Sequence, residues 1–505
     1  MSRLARTSSL VTVLVAVLAD AAWLLHLVGA RLVDEDGAIY WFAARELVRL
    51  RFHEPFFYGQ PYHHLGEAFV AAPAVVAGLP PWIVLPAVSA LVGLATWAVL
   101  ARLAWRRGAF GLALLLLGAP LLLPVGYAIL QQRFFGAGLL LVALGLLSAD
   151  AGSSAWRGAL AGFLLALGPL LVPNAAPLAA VGLAWLAVAR MDRPPWRWLL
   201  AGAVAAAALH GLGRTFYRLD PGWALHPAPA VIPDWSSFAT GITGLGRHLG
   251  RLTPGLLLRP EVLLASTAIV ALVAAARKRW EVAAPAATLL CVTLLALSVG
   301  KVHDGTPSVF FAFERSFLGL PLGLGIVAIG SVGAGIWRGG TSTRAVVACS
   351  VVLLCAATWR WTFLAREVAA ERAVPVSVLD LREVPAVAAR CSAIASAARS
   401  EGAGLVVFQG SRTLAYACGA LADDRLTTLF PAYERRTWIL RDEARRQRDT
   451  VLFPDADPAR LCGAVQARLP AASCQFGPAG TMVVRMPPTS AVELLRILGL
   501  PVRPF

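Results

Sequence analysis

Three acids in a row, Asp34, Glu35 and Asp36, follow the first apolar run of the chain in VDEDGAIYWFAARELVR. One acid there would cap a helix. Three adjacent acids repel one another, so their grouping asks for another role. A carboxylate at a water–membrane boundary can act as a general base on an incoming hydroxyl. Asp34-x-Asp36 also offers oxygens of the kind a divalent cation prefers, so a metal bridging phosphates is a second use for the pair. Both roles suit a reaction between a phosphate-linked donor and a polar acceptor. The residues that follow add Arg45, Glu46, Arg49, Arg51, His53, Glu54, His63, His64 and Glu67, interleaved with Tyr40, Trp41, Phe42, Phe56, Phe57, Tyr58 and Tyr62. The plain alternative for most of them is a juxtamembrane helix with aromatics at headgroup level and charges in water.

The elements that must position this loop are apolar. Of 505 residues, 58% are hydrophobic and 15% charged, and the mean hydropathy is +0.68. A soluble domain carries about 25% charged residues. The apolar residues fall in long runs, and about eleven membrane spans are expected. They lie near residues 9–30, 82–104, 109–129, 135–149, 158–172, 175–190, 197–212, 260–276, 282–300, 317–336 and 345–363. The stretch GEAFVAAPAVVAGLPP is too short and Pro-rich to span alone, and is expected to lie in the interface or re-enter. Asp20 and His26, inside the first span, should face protein and not lipid.

Basic clusters order these spans. Arg102, Arg106 and Arg107, then Arg190, Arg193 and Arg197, then Arg277 to Arg279, then Arg338 and Arg344 fall on alternate connections. The positive-inside rule assigns those connections to the cytoplasm. The N-terminus reads as an uncleaved signal-anchor held inside by Arg3 and Arg6, because its apolar run exceeds the about 7–15 residues of a signal-peptide core. The first loop (31–80), a second large loop (213–259) and the tail then face outward from the inner, cytoplasmic membrane. The Arg-rich, Lys-poor, Ala-rich usage fits a GC-rich bacterium. The net charge of +16 follows from this topology and does not indicate a nucleic-acid partner.

Beyond a transmembrane domain of residues 1–364, the composition of 365–505 is that of a soluble extracytoplasmic domain. Short β-like runs GLVVF, LTTLF, TVLF and TMVVRM alternate with helical segments such as YERRTWILRDEARRQR and DPARLCGAVQARL. That alternation predicts a small α/β domain. It contains no Gly-rich phosphate loop. Cys391, Cys418, Cys462 and Cys474 lie in it, an even number that permits two disulfides outside the membrane, with Cys462–Cys474 expected first. Cys291, Cys349 and Cys355 fall inside expected spans and read as small apolar residues.

The first loop resembles that of the GT-C glycosyltransferases, polytopic enzymes that use polyprenyl- or dolichyl-phosphate sugars. In that superfamily an acidic pair follows the first span, then come an aromatic pair, an Ala-Arg helix, an aromatic Gly-Gln-rich turn and a short apolar segment. Here the acids, IYWFAARELV, FFYGQPY and AAPAVVAGLP occur in that order. FERSFLGLPLGLGI is similar to the Arg-aromatic-Leu-Pro pattern heading a late span of these enzymes, and LALGPLLVPNAAPLAAVGLAW is a fainter echo of their mid-chain Asn/His-Pro segment. The pattern departs in one respect. Aligning Tyr40-Trp41 on the aromatic pair puts Asp36 at the first acid and Gly37 at the second, whereas aligning Asp34-Glu35 leaves two extra residues before the aromatics.

The resemblance implies a GT-C-like membrane fold and transfer of a sugar from a polyprenyl-phosphate donor to a hydroxyl of a lipid, glycan or protein. It implies Asp36 as base, with Asp34 or Glu35 in support, and substrate contacts at Tyr40, Arg45, Tyr58, Gln60 and His64. Arg315, beside Glu314, could bind the donor phosphate, because a guanidinium matches phosphate oxygens bidentately; as a structural residue it would snorkel at a span end. Lys301 in KVHDGTP would add a second phosphate contact, with His303 and Asp304 on the same loop. Arg247, His248 and Arg251 form a basic stripe that reads first as an interfacial helix on lipid headgroups. His63, His64 and Glu67 have metal-like spacing but no third distant ligand. The alternatives are a lipid or glycan transporter, which would need mid-membrane polar residues and internal repeats, and a non-enzymatic envelope scaffold.

Overall fold

The computed structural model describes residues 3–133, 136–152, 154–189, 196–219, 225, 231–253, 259–333, 343–374, 380–422 and 425–500. Arg190, Arg193 and Arg338, used above to orient the chain, lie outside the described residues. Contacts divide the chain into two compact units, each assembled from separate segments.

The first unit comprises Met1–Val28, Pro86–Gly211 and Pro229–Val376. The eleven apolar stretches are helical where described, and among the described residues six helices are long and apolar enough to cross a membrane, or seven if a bent pair counts as one. Of the expected eleven spans, length and composition support six or seven among the described residues. The bent pair is Phe110–Leu122 and Val125–Gln131, turned by 97°. Its break falls at Pro124, before which Leu123 is forced into extended backbone. The remaining apolar helices have at most 17 residues, a rise of about 26 Å against a hydrocarbon core of about 30 Å. Hydropathy alone did not reveal where Pro and Gly end them.

Glycines allow backbone-to-backbone approach in this unit. A Cβ on Gly202 would lie 1.8 Å from the Ala159 carbonyl oxygen, and one on Gly162 would lie 1.9 Å from that of Leu199. Small residues thus let Ala155–Leu171 and Trp196–Leu219 touch along their axes. Asp20 does face protein: its Oδ1 is 2.7 Å from Arg360 Nε, and both side chains are buried. Arg360 Nη1 also donates to the Leu123 carbonyl at 2.6 Å. His26 differs from expectation; it lies in the π-turn Leu25–Gly29 at the end of the first helix and is exposed.

Removing one partner of a buried ion pair strands the other charge, at about 3–5 kcal/mol. Asp20→Leu should lower the unfolding temperature in detergent sharply, and Asp20→Leu with Arg360→Leu should recover most of that loss. Equal losses in the single and double variants would show that the pair does not carry the stability of this contact.

The second unit comprises Gly29–Leu85, Leu212–Ala228 and Ser377–Phe505. The tail is thus not separate from the first loop. Its charged start, around residue 365, is the end of the helix Thr343–Ala373 in the other unit. Strand β1 (Leu32–Val33) pairs antiparallel with β2 (Arg382–Glu383) and stitches the loop to the tail. Strands β3 (Leu405–Val407), β4 (Thr427–Leu429), β5 (Gln447–Phe453), β6 (Ser473–Phe476) and β7 (Met482–Ser490) form one mixed sheet in the order β4-β3-β5-β7-β6. β3 runs parallel to β4 and β5, while β7 runs antiparallel to β5 and β6. β3 and β4 lie within the apolar runs read from the sequence, and β5 and β7 overlap two others and extend beyond them. β6 is a largely exposed edge strand with no apolar run to announce it.

The disulfide is not the one expected. Cys391 and Cys418 are bonded, whereas Cys462 and Cys474 are free thiols. The helices Val384–Ser400 and Arg412–Leu421 pack side by side and bring the first two Cα atoms to 4.8 Å, within disulfide range. Cys462 instead lies against Met482 Sδ at 3.6 Å, and burial with the neighbouring Cys462 thiol pushes the Cys474 thiol up to about 12. Cys391→Ala with Cys418→Ala should destabilise this unit by roughly 3.5 kcal/mol, the loop-closure value for a separation of 27 residues. Denaturant unfolding followed by a tail-specific probe measures it, and an unchanged midpoint would remove the disulfide from the account of stability.

Candidate functional site

The acids stand at the start of the helix Glu35–Val48. Asp34 is its N-cap: the side chain is buried and its Oδ1 accepts from Gly37 N at 2.9 Å. Glu35 and Asp36 occupy the first turn, where negative charge complements the helix dipole. Ala38, Ile39, Tyr40, Trp41, Phe42, Ala43 and Ala44 are all buried, so this helix is enclosed by the unit and does not ride on its surface. It packs against Gly66–Val76 and Arg412–Leu421.

The tail supplies the counter-charges. Arg412 Nε lies 2.7 Å from Glu35 Oε2. Arg435 reaches both acids, with Nη1 2.5 Å from Asp36 Oδ1 and Nη2 3.7 Å from Glu35 Oε1. Arg435 is buried, with its guanidinium 5.8 Å from the ring centroids of Phe57 and Tyr433. Burial, then the adjacent Asp36 charge, raise Glu35 to about 7 against the pull of Arg435 and Arg412. Asp36 is the only one of the three acids that is half-buried, its side chain 26% exposed. The neighbouring Arg436 is fully buried, bonded to Glu434 at 2.8 Å and flanked by Phe42 and Tyr416.

The other expected substrate residues of the loop are engaged with protein groups. The Tyr40 hydroxyl donates to the His64 carbonyl at 2.6 Å, and its ring stacks on Phe57 with centroids 4.7 Å apart. Arg45 Nη1 donates to the Gly419 carbonyl at 2.6 Å. Tyr58 is buried at a positive φ of 44°, followed by Gly59 at 82°, which makes FFYGQ a tight turn. Gln60 closes that turn through its backbone, donating from N to the Phe57 carbonyl at 3.1 Å. His64 Nδ1 accepts from Gly66 N at 3.0 Å, and burial lowers the ring to about 4, so it is neutral with its proton on Nε2.

Lys301 and Arg315 belong to the first unit. Lys301 is exposed and pairs with Asp304 at 2.7 Å; Arg315 donates to the Asp304 carbonyl at 2.5 Å and lies 3.8 Å over the Phe311 ring. In the same unit Arg251 is held between Glu314 and Glu371 at 3.1 and 3.0 Å, and the His248 and His303 rings are hydrogen-bonded at 3.1 Å. That basic stripe is therefore built into protein contacts.

Among the described residues no group of three or more His, Cys, Asp and Glu could hold a metal ion. Asp34 is turned into its cap and Asp36 toward Arg435, so the two do not converge on a shared cation. His63, His64 and Glu67 do not form such a group either.

Sequence reading missed Arg412 and Arg435, and it noted Glu54 in the loop without giving it a role of its own. The adjacent cations Arg435-Arg436 in YERRTWIL were visible, but nothing tied them to acids some 400 residues earlier. Glu54 is buried, accepting from Tyr217 OH at 2.6 Å and Gly59 N at 2.7 Å through Oε2, while Oε1 has no partner among the described residues. Compared with protein-family models, with curated proteins and with solved structures, the chain matches none.

Burial raises Glu54 to about 8. A carboxyl raised above its unfolded value binds more protons when folded, so it takes away stability as pH climbs from about 4.5 to 8, by about 1.4 kcal/mol per pH unit at most. Glu54→Gln should therefore match wild type near pH 4.5 and gain on it steadily toward pH 8, as read from melting temperatures. A pH-independent difference would show that Glu54 is not neutral in the fold.

Proposed function

We propose that the protein is a membrane glycosyltransferase of the GT-C kind, moving a sugar from a polyprenyl-phosphate donor to a hydroxyl acceptor on the outer face of the bacterial cytoplasmic membrane. The observation that carries this is the pairing of the half-buried Asp36 with the buried Arg435. Such a transfer needs a carboxylate for the acceptor proton and a guanidinium for the departing phosphate, side by side. Leu50, Phe52, Phe69, Val70 and Val76 are exposed apolar side chains of the same unit, and exposed apolar side chains suit contact with lipid. The Cys391–Cys418 disulfide favours an oxidising compartment for the tail. In the full proposal the shorter apolar helices complete about eleven crossings, with the N-terminus inside and the tail outside.

In this mechanism Asp36 accepts the hydroxyl proton as the acceptor oxygen attacks the anomeric carbon from the face opposite the phosphate. The sugar–phosphate bond breaks with inversion, and its electrons stay on the phosphate, held by Arg435 and Arg412. Arrival of the donor phosphate exchanges one Arg435 contact for another and turns Asp36 toward the acceptor. Glu35 keeps Arg412 in place.

The same ion pairs also suit a second role, a latch that fastens the tail to the first loop in a non-enzymatic scaffold, since Glu35 and Asp36 are both engaged by tail arginines. Asp36→Asn separates the two, because the amide oxygen still accepts from Arg435. Transfer of labelled sugar from a polyprenyl-phosphate donor into membrane acceptors should fall by roughly 10²–10⁴-fold, the usual worth of a general base, with protease resistance of the tail unchanged. Undiminished transfer would remove Asp36 as base. A variant that releases the tail would favour the latch.

A further inference from the structure

Three sulfur atoms from three elements of the tail meet in the second unit, and the sugar-transfer proposal uses none of them. Cys462 lies in the helix Pro458–Arg468, which Asp457 caps through its side chain. Cys474 lies on β6, and Met482 opens β7. Cys462 Sγ donates to Met482 Sδ at 3.6 Å, and the Cys474 thiol is hydrogen-bonded to Cys462. The three form a continuous row with Cys462 in the middle.

The fold brings them together. Across the β6–β7 ladder Cys474 pairs with Val484, and Phe476 pairs with Met482. Cross-strand partners share a face, as do residues two apart on one strand. Cys474 and Met482 therefore stand diagonally on one face of the sheet. The helix Pro458–Arg468 packs against β6, and its Cys462 reaches Met482 on that face. Met482 is buried, while both cysteines are half-buried. The thioether is thus the closed end of the row, and the thiols are its open end.

Small apolar filling explains a single buried cysteine, but not a row of three sulfurs from separate elements. A thiol-exchange centre needs a thiolate. Burial and the adjacent Cys462 sulfur push the Cys474 thiol up to about 12, so it stays protonated at neutral pH. A sulfur-seeking cation displaces such a proton as it binds.

The donor set decides which cation. Structural zinc takes four ligands drawn from Cys, His and carboxylates, and among the described residues no group of three or more of these could hold a metal ion. Hard cations prefer oxygen. Two thiols and a thioether are instead the soft set that selects copper(I). A cation about 2.3 Å from both Cys462 Sγ and Met482 Sδ would span their 3.6 Å separation at a sulfur–metal–sulfur angle of about 100°.

We propose that Cys462, Cys474 and Met482 form a binding site for copper(I), with two thiolates and one thioether as ligands. Both thiol protons leave as the cation arrives. The site does not depend on sugar transfer, and its test reads binding alone.

The test uses the full chain, purified under nitrogen and held in nanodiscs. It is loaded with copper(I) in ascorbate, which reduces copper but leaves the Cys391–Cys418 disulfide intact, and then titrated with the coloured copper(I) chelator bicinchoninate. A thiol reagent added to denatured samples first confirms the five free thiols. Wild type should hold one copper(I) more than Cys462→Ser with Cys474→Ser. That difference excludes Cys291, Cys349 and Cys355, which both proteins retain. Met482→Leu, a swap that conserves volume, should weaken retention at an unchanged melting temperature. The loss should be at least about tenfold, since a lost ligand costs no less than a lost outer-shell partner. X-ray absorption at the copper edge should show a third sulfur neighbour in wild type that Met482→Leu lacks. Equal copper in wild type and the double variant overturns the proposal, as does zinc held as firmly as copper(I). Cys462 and Cys474 found joined in the anaerobic protein also overturn it, and unchanged retention in Met482→Leu overturns the copper(I) assignment.

Discussion

The second unit depends on Arg435, a buried guanidinium between Glu35 and Asp36. A buried cation is tolerated only when carboxylates meet it with good geometry, and a buried carboxylate only under the same condition. The first loop brings two acids and the tail brings two arginines, so each segment alone would leave charge stranded. That mutual need explains why residues 29–85 and 377–505 share one unit although nearly 300 residues separate them in the chain. The Asp34 cap fixes where the helix begins and thus which way Glu35 and Asp36 point. Arg45 to Gly419 and the β1–β2 pair then hold the same two segments together at other points.

The membrane unit follows the same rule with other residues. Asp20 is answered by Arg360 across 340 positions, and Arg251 by Glu314 and Glu371. Charge inside apolar surroundings is a reliable sign in a sequence, because burying it without a partner is so unfavourable. Its partner is not legible, because pairing is decided by which helices pack.

What could be read from this sequence divides along that line. Periodicity located every apolar helix and the strands β3, β4, β5 and β7, because those signals are local. Span number is supported only as far as six or seven, since hydropathy registers composition but not the Pro124 break or the 17-residue length of the shorter helices. The exposed edge strand β6 left no apolar trace. The disulfide was misplaced because a spacing of twelve looked favourable, while the pairing that formed depends on two helices meeting side by side. The loop's Tyr40, Arg45, Tyr58 and Gln60 have the residue types of a binding surface, yet their polar groups or backbones are spent on the turn and on the tail helix. Residue type told what they can bond to but not that protein would be the partner.

The acid triplet resolves into three jobs that its sequence could not distinguish. Asp34 caps, Glu35 is buried against Arg412, and Asp36 alone keeps an open side. Capping fixes the first of these to its own backbone, and burial keeps the second from reaching a substrate. If a base is present in this row, solvent access leaves only Asp36 for it. Asp36 Oδ1 accepts from Arg435, so a group that occupied the guanidinium would release this oxygen to turn toward a hydroxyl. A phosphate is the group best matched to do so, which makes donor binding the event that frees the base. A latch has no such requirement: its ion pair persists whether or not a phosphate is near. The two roles therefore differ in whether the Asp36–Arg435 contact yields to a phosphate.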